Sequence, residues 1–179
     1  MLAFGHLGFT LLFAFIVFSL LKERVDYRFI LAGALLPDLI DKPIGEYIFY
    51  STFQNGRIFG HTMLFVFLLA GVGMLMNERY RVGAVEALAL GSLLHIAEDR
   101  VWLAQGTLFW PLLGWEFPRY DIENYAGYIL YVLFHDPSAY VPEIAGIIIL
   151  AAFILRFRLY NPEKARQFLS KGKLLAGNF

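Results

Sequence analysis

The chain contains no cysteine, which excludes disulfides, a thiolate nucleophile and any metal site built on sulfur. A metal, if one is held, must be held by nitrogen and oxygen. Charge is scarce as well: 17% of the 179 residues are charged against 59% hydrophobic, and the net charge is zero. There is no basic tract long enough to follow a phosphodiester backbone, so nucleic acid is not expected as a partner. Linkers rich in Pro, Gly or Ser, low-complexity stretches and internal repeats are also missing, and residues 1–179 are read as one domain. What is plentiful is apolar: the mean hydropathy is +0.59, too high for an ordinary soluble domain. Eighteen Phe, ten Tyr and three Trp add the aromatic load of a protein with rings at both membrane interfaces.

The apolar residues fall into segments that predict an all-α, polytopic membrane bundle of about five spans. Residues 2–21 are long enough to cross about 30 Å of hydrocarbon. They do not read as a cleaved signal, since no basic residue precedes them and no small-x-small pattern follows. The second segment, 29–36 with a start as early as 25, is short, and Pro37 is expected to weaken it where Asp38 and Asp41 sit. Spans at 58–76, 82–97 and 141–155 follow. Residues 100–142 form an aromatic and acidic section, in which the apolar stretch 125–134 reads as an interfacial or re-entrant helix, or as a lid. The section 159–179 reads as a tail carrying a short amphipathic helix.

Five spans put the termini on opposite sides. Residues 22–28, 77–81 and 156–179 then share one side with eleven of the 15 basic residues, leaving Lys42, Arg57, Arg100 and Arg119 on the other. The positive-inside rule makes the first side cytoplasmic and places the N-terminus outside. With that assignment His6, Asp38, Asp41, His61, His95 and Asp99 all fall at the outer ends of four spans. One such residue alone reads as an inert, hydrogen-bonded group at headgroup level. Six at one level read as a site, because ionisable groups beside hydrocarbon are costly.

Residues four apart on a helix share a face, so His95 and Asp99 form one two-ligand unit. Asp38 and Asp41, three apart, form a second if their helix continues through them. His6 and His61 add imidazoles, and Arg57 stands one turn before His61. Three histidines and three aspartates suffice for two divalent ions, with zinc or manganese the conservative choice among metals compatible with nitrogen and oxygen ligands. Two such ions activate water and stabilise both oxygens of an in-line displacement, which is what phosphoester hydrolysis requires. Arg57, Lys42 and Arg100 are the candidates to hold phosphate oxygens, and Asp41 and Glu98 the candidate bases. His135-Asp-Pro137 reads as a loop feature, and Glu86 as a partner for Arg81 or an inward-facing group. The glycines of the later spans read as close-packing positions.

The motifs Gly5-His6, Leu36-Pro-Asp-Leu-Ile-Asp41, Arg57-Ile-Phe-Gly-His61-Thr62 and Gly91-Ser-Leu-Leu-His-Ile-Ala-Glu-Asp99 resemble, in that order, those of the YdjM-like family of membrane-bound metal-dependent hydrolases. Leu108-Phe-Trp-Pro111 resembles the aromatic-proline element that follows them. The resemblance covers residues 1–115 or so, with Gly5 standing where Thr is usual and Thr62 where Ser is common. It implies a distant similarity to the all-helical zinc-dependent phospholipase C group. It also implies that His6, Asp38, Asp41, His61, His95 and Asp99 are metal ligands or catalytic groups.

The leading expectation is a metal-dependent phosphoester hydrolase in the cell membrane, acting on a lipid or lipid-linked substrate with metal-activated water. The alternative is a non-enzymatic metal-binding protein, either scaffold or ion transporter. A transporter needs a polar path, and below Thr62 the third span has none, while the fourth offers only Ser92 and Glu86. Hydrolysis of an amide or carboxylic ester is a third option, since basic residues are few on the outer side.

Overall fold

The computed structural model describes residues 1–120, 122 and 124–174, and every regular element among them is helical. Helix α1 (Ala3–Leu21) is almost wholly apolar and stops at Lys22, whose left-handed backbone (φ 56°) turns its N–H back onto Phe18 and Ser19. Asp26 starts α2 by accepting from the Arg28 N–H.

The second segment proves longer than its sequence suggests, for α2 spans Tyr27–Pro43 and passes through Pro37. A proline inside a helix leaves the carbonyl four residues back without its donor. Here that carbonyl is Gly33 O, and the buried Ser92 hydroxyl donates to it at 3.1 Å. A partner helix thus supplies the missing bond, and the aspartates stay helical. A π-helical turn, Ile44–Ile48, and the short α3 (Tyr50–Phe53) follow.

The third span begins later than expected. Ile58 is extended, Phe59–His61 form a 3-10 turn, and α4 starts only at Met63, running to Tyr80. Residues 58–61 leave the helix because Asp41 takes three of their N–H groups. Thr62 then caps α4 by accepting from the Phe65 N–H at 3.0 Å. Helix α5 (Ala84–Glu98), a 3-10 turn (Val101–Leu103), α6 (Gln105–Leu108) and α7 (Tyr125–His135) come next. Helix α8 (Pro137–Arg156) is longer than the predicted 141–155, since Asp136 caps it and Pro137 occupies its first turn. Asp136 belongs to the sequence read as a loop feature. The amphipathic α9 (Pro162–Lys171) is tied down where Arg28 Nη1 donates to Leu169 O and the Tyr27 N–H to Gly172 O.

Helix α2 packs chiefly on α5 and α1 chiefly on α8, with α1 also against α2 and α4 against α5. Glycines set these separations. A Cβ on Gly33 would lie 2.2 Å from Leu88 O, and one on Gly91 2.1 Å from Ile30 O. A Cβ on Gly8 would lie 2.5 Å from Gly146 Cα. Such close backbone approach is how helices associate when hydrocarbon, and not water, surrounds them.

Among the described residues α1, α4 and α8 are long and apolar enough to cross a membrane. Helices α2 and α5 have 17 and 15 residues and are the inner pair. Phe67, Leu68, Val72 and Leu75 of α4 are exposed, as expected of a lipid-facing surface. Leu11, Ile30, Ala87 and Phe153 form one apolar core, and Val66, Ile96, Val101 and Leu108 a second. Because the helices alternate in direction, the start of α1, the end of α2, the turn before α4 and the end of α5 meet at one end of the bundle.

Candidate metal centre

At that end His6, His61 and His95 are wholly buried. His95 Nδ1 lies 2.6 Å from Ala34 O; a carbonyl only accepts, so Nδ1 carries the proton and Nε2 the lone pair. His61 Nδ1 meets the Asp41 carboxylate at 2.7 Å, and His6 Nδ1 meets Glu98 Oε2 at 2.8 Å. Those contacts assign the same tautomer to both rings.

Three imidazoles therefore turn their Nε2 atoms toward one small volume. The Nε2 atoms of His61 and His95 are 3.2 Å apart, and the His6 Nε2 has no hydrogen-bond partner. The His6 and His95 rings stack at 3.8 Å. Asp38 Oδ1 lies 3.7 Å from both the His61 and His95 Nε2 atoms. Asp99 Oδ2 lies 3.8 Å from His61 Nε2, and Oδ1 lies 3.3 Å from His6 Nε2.

Ring nitrogens and carboxylates converging at this spacing need a proton or a metal ion between them. Ligands about 2.1 Å from a tetrahedral ion stand about 3.4 Å from one another, and the observed separations scatter around that spacing. Two overlapping groups could each hold an ion: His6, Asp38 and His95, and His61, His95 and Asp99. The donor set fits a divalent metal with nitrogen and oxygen ligands.

Asp41 belongs to neither group. It is fully buried, and both its oxygens are engaged: Oδ1 by the Gly60 N–H, and Oδ2 by the Ile58 and His61 N–H groups and the His61 ring. Asp38 and Asp41 thus grip His61 from opposite edges. Glu98 does the corresponding work for His6, since its second oxygen accepts from Thr10 Oγ1 at 2.9 Å. Carboxylates that hold the far nitrogen of a histidine fix its tautomer and raise its basicity as a ligand. Phe59, beside the His61 turn, packs on Trp110 and Phe117, each at 5.2 Å between ring centroids.

Above the centre lies a cavity of about 310 Å³ lined by Lys42, Glu46, Arg57, Asp99, Tyr125 and Tyr128. Arg57 donates to Asp99 Oδ2 through Nε at 2.9 Å, with Nη2 2.7 Å from the same oxygen, and Lys42 donates to Asp38. The Met1 amine is 2.6 Å from Asp99 Oδ1. Burial works to raise the Asp99 pKa, but the adjacent His6 ring and the Arg57 charge outweigh it and hold the carboxyl below its ordinary range. Arg100 is exposed in a left-handed conformation and does not line this cavity. Glu86, far from the centre, accepts from Asn77 Nδ2.

Two carboxylates escaped the sequence reading. Glu143 of α8 is buried and accepts the N–H groups of Leu2, Phe4 and Gly5, capping the first turn of α1 from outside that helix. A lone acid in an apolar run was the signal available for it. Glu46 is 7% exposed in the π-helical turn, and its Oε2 has no partner. Burial raises its pKa, opposed by the Gly56 N–H and the Lys42 charge. Only the unusual turn, invisible in sequence, aims it at the cavity.

Fold and site together define a helical membrane protein built round a buried histidine–carboxylate centre. The chain belongs to the YdjM inner membrane protein family, whose family model matches residues 1–165. That match reaches some fifty residues beyond the motifs, through α8 and into α9. Neither a curated protein nor a solved structure gives a match.

Proposed function

We propose that this protein is a metal-dependent hydrolase of a phosphoester in a lipid or lipid-linked substrate. The observation that carries this reading is the convergence of three histidine Nε2 atoms and two carboxylates below a cationic cavity. His6, His61, His95, Asp38 and Asp99 would hold one or two divalent ions, zinc or manganese being compatible. Such ions, when bound, supply Lewis acidity and lower the pKa of water.

The chain's own residues do the rest. Arg57 keeps Nη1 without a partner among the described residues while its other nitrogens hold Asp99, so it can bind a phosphate oxygen without releasing that carboxylate. Lys42 has two further N–H donors for the same anion. Glu46, with its raised pKa and open Oε2, delivers a proton to the leaving oxygen. Asp41 and Glu98 act as positioning residues through His61 and His6. Tyr125 and Tyr128 line one wall of the cavity. In this reading α1, α2, α4, α5 and α8 cross the bilayer, the centre faces the outer side and α9 lies in the cytoplasm, following the distribution of basic residues.

The test is turnover. Protein purified with zinc or manganese is assayed on a panel of phospholipids and lipid-linked phosphoesters, beside His95→Ala and Arg57→Gln variants. Release of phosphate or a phosphorylated headgroup by the wild type, lost in His95→Ala, is the expected result. Bound metal with no turnover on the phosphoester panel would end this reading and favour a metal-stabilised scaffold, which the full burial of the three histidines also suits.

A further inference from the structure

The other end of the bundle carries a second, larger cavity, of about 770 Å³, that the metal centre does not use. It opens where α1 ends and α2 begins and where α4 ends and α5 begins, with the last residues of α9 at its rim. Four cations line it: Arg24, Arg81, Lys171 and Lys173. Its acids are Glu23, Asp26 and Glu86.

The acids answer the cations only in part, with Lys173 near enough to Asp26 to lower its pKa. Asp26 is committed to Arg28, which contacts it through Nε at 3.0 Å and Nη2 at 2.6 Å. Glu86 accepts from Asn77. Among the described residues none of the four cations has a carboxylate within ion-pair distance. Arg81, at the end of α4, also opposes the helix dipole, but a dipole gives its guanidinium no bidentate partner. The site therefore sets four exposed cations against three acids in a concave space, with donors free to exchange water for an anion.

The walls say what kind of anion fits. Phe18, Phe29 and Leu90 are half-buried and apolar, so the cavity offers hydrocarbon beside its cations. A basic pocket between helices at one end of a membrane bundle suits a phosphate ester whose remainder is apolar. We propose that this cavity binds the phosphate of an anionic phospholipid headgroup, with Arg24, Arg81, Lys171 and Lys173 as its donors. Lipid bound there bridges α9 to the connectors on either side and holds that end of the bundle closed. A free phosphate shares the recognised chemistry, and the experiment separates the two sources.

The full chain is placed in nanodiscs of phosphatidylcholine alone or with phosphatidylglycerol, then released and examined by native mass spectrometry for retained lipid. Preferential retention of phosphatidylglycerol is expected. An Arg24→Gln, Lys171→Gln variant should lose it by more than ten-fold, at about five-fold per cation. Arg166→Gln, exposed on α9 and outside the cavity, should stay within two-fold of wild type. If the double variant fails to fold, single Lys171→Gln and Lys173→Gln variants, each expected to lose about five-fold, take its place. Inorganic phosphate is added in a second arm. Displacement of the lipid by millimolar phosphate assigns recognition to the phosphate group alone, while its failure assigns the lipid as a whole. Equal retention of both lipids by the wild type, or equal retention by wild type and cavity variants, overturns the proposal.

Discussion

The Nε2 atoms of His61 and His95 stand 3.2 Å apart, and each ring has already used its Nδ1–H elsewhere, on Asp41 and on Ala34 O. Two ring nitrogens held that close by two separate helical segments need a proton or a metal ion to join them. Replacing His95 by Ala removes a ligand common to both candidate groups. Zinc or manganese bound by the purified protein, measured by elemental analysis, should fall to background in that variant. Unchanged metal content would show that the centre does not bind through His95.

Asp41→Asn separates a positioning carboxylate from a ligand. The amide keeps the shape but removes the charge that four N–H groups share. Metal affinity should fall about 10–100-fold without loss of stoichiometry. The thermal midpoint should drop too, because charge-assisted hydrogen bonds of about 1.5–3 kcal/mol each are weakened. Loss of a whole equivalent of metal would make Asp41 a ligand instead.

Glu143→Ala should act at a distance. It leaves the N–H groups of Leu2, Phe4 and Gly5 without their acceptor, at a cost of about 1–3 kcal/mol for the buried Gly5 and less for the part-buried other two. His6 belongs to the turn so capped, its own N–H bonding to Leu2 O. Thermal unfolding in detergent should show a large loss for Ala and a partial one for Gln, which keeps one accepting oxygen. Metal affinity should fall in step with stability. Equal behaviour of Ala and wild type would refute the capping role.

Glu46 gives a pH signature. Its folded pKa is raised, by burial first, so its contribution to stability is present below the ordinary glutamate range and is lost as pH rises through the folded value. A permanently neutral Glu46→Gln should match the wild type near about pH 4 and exceed it increasingly toward about pH 8. A midpoint difference that stays flat with pH would mean the carboxyl is not raised and cannot serve as proton donor.

The helical class, the apolar segments and the common level of the histidines and aspartates were all legible in the chain. Segment length, basic-residue distribution and the i, i+4 pairing of His95 with Asp99 are local properties, set by covalent geometry and hydropathy. The motif order was enough to indicate the family. The limits of α2 and α4 were not legible, because each depends on a bond from elsewhere. Ser92 of α5 carries α2 through Pro37, and Asp41 of α2 draws residues 58–61 out of α4.

The sequence alone decided which side chains reach one end of the bundle, since helix direction alternates and each polar residue lies at a fixed distance along its helix. Only the tertiary structure decided which of them face a shared space and which stand behind. Asp38 and Asp41 are the same residue type one turn apart, yet Asp38 faces the Nε2 edge of His61 and Asp41 its Nδ1 edge. That division of labour comes from packing α2 against α5 and against the turn before α4. A side chain's partner is set by the neighbours around it, which position along the chain does not specify.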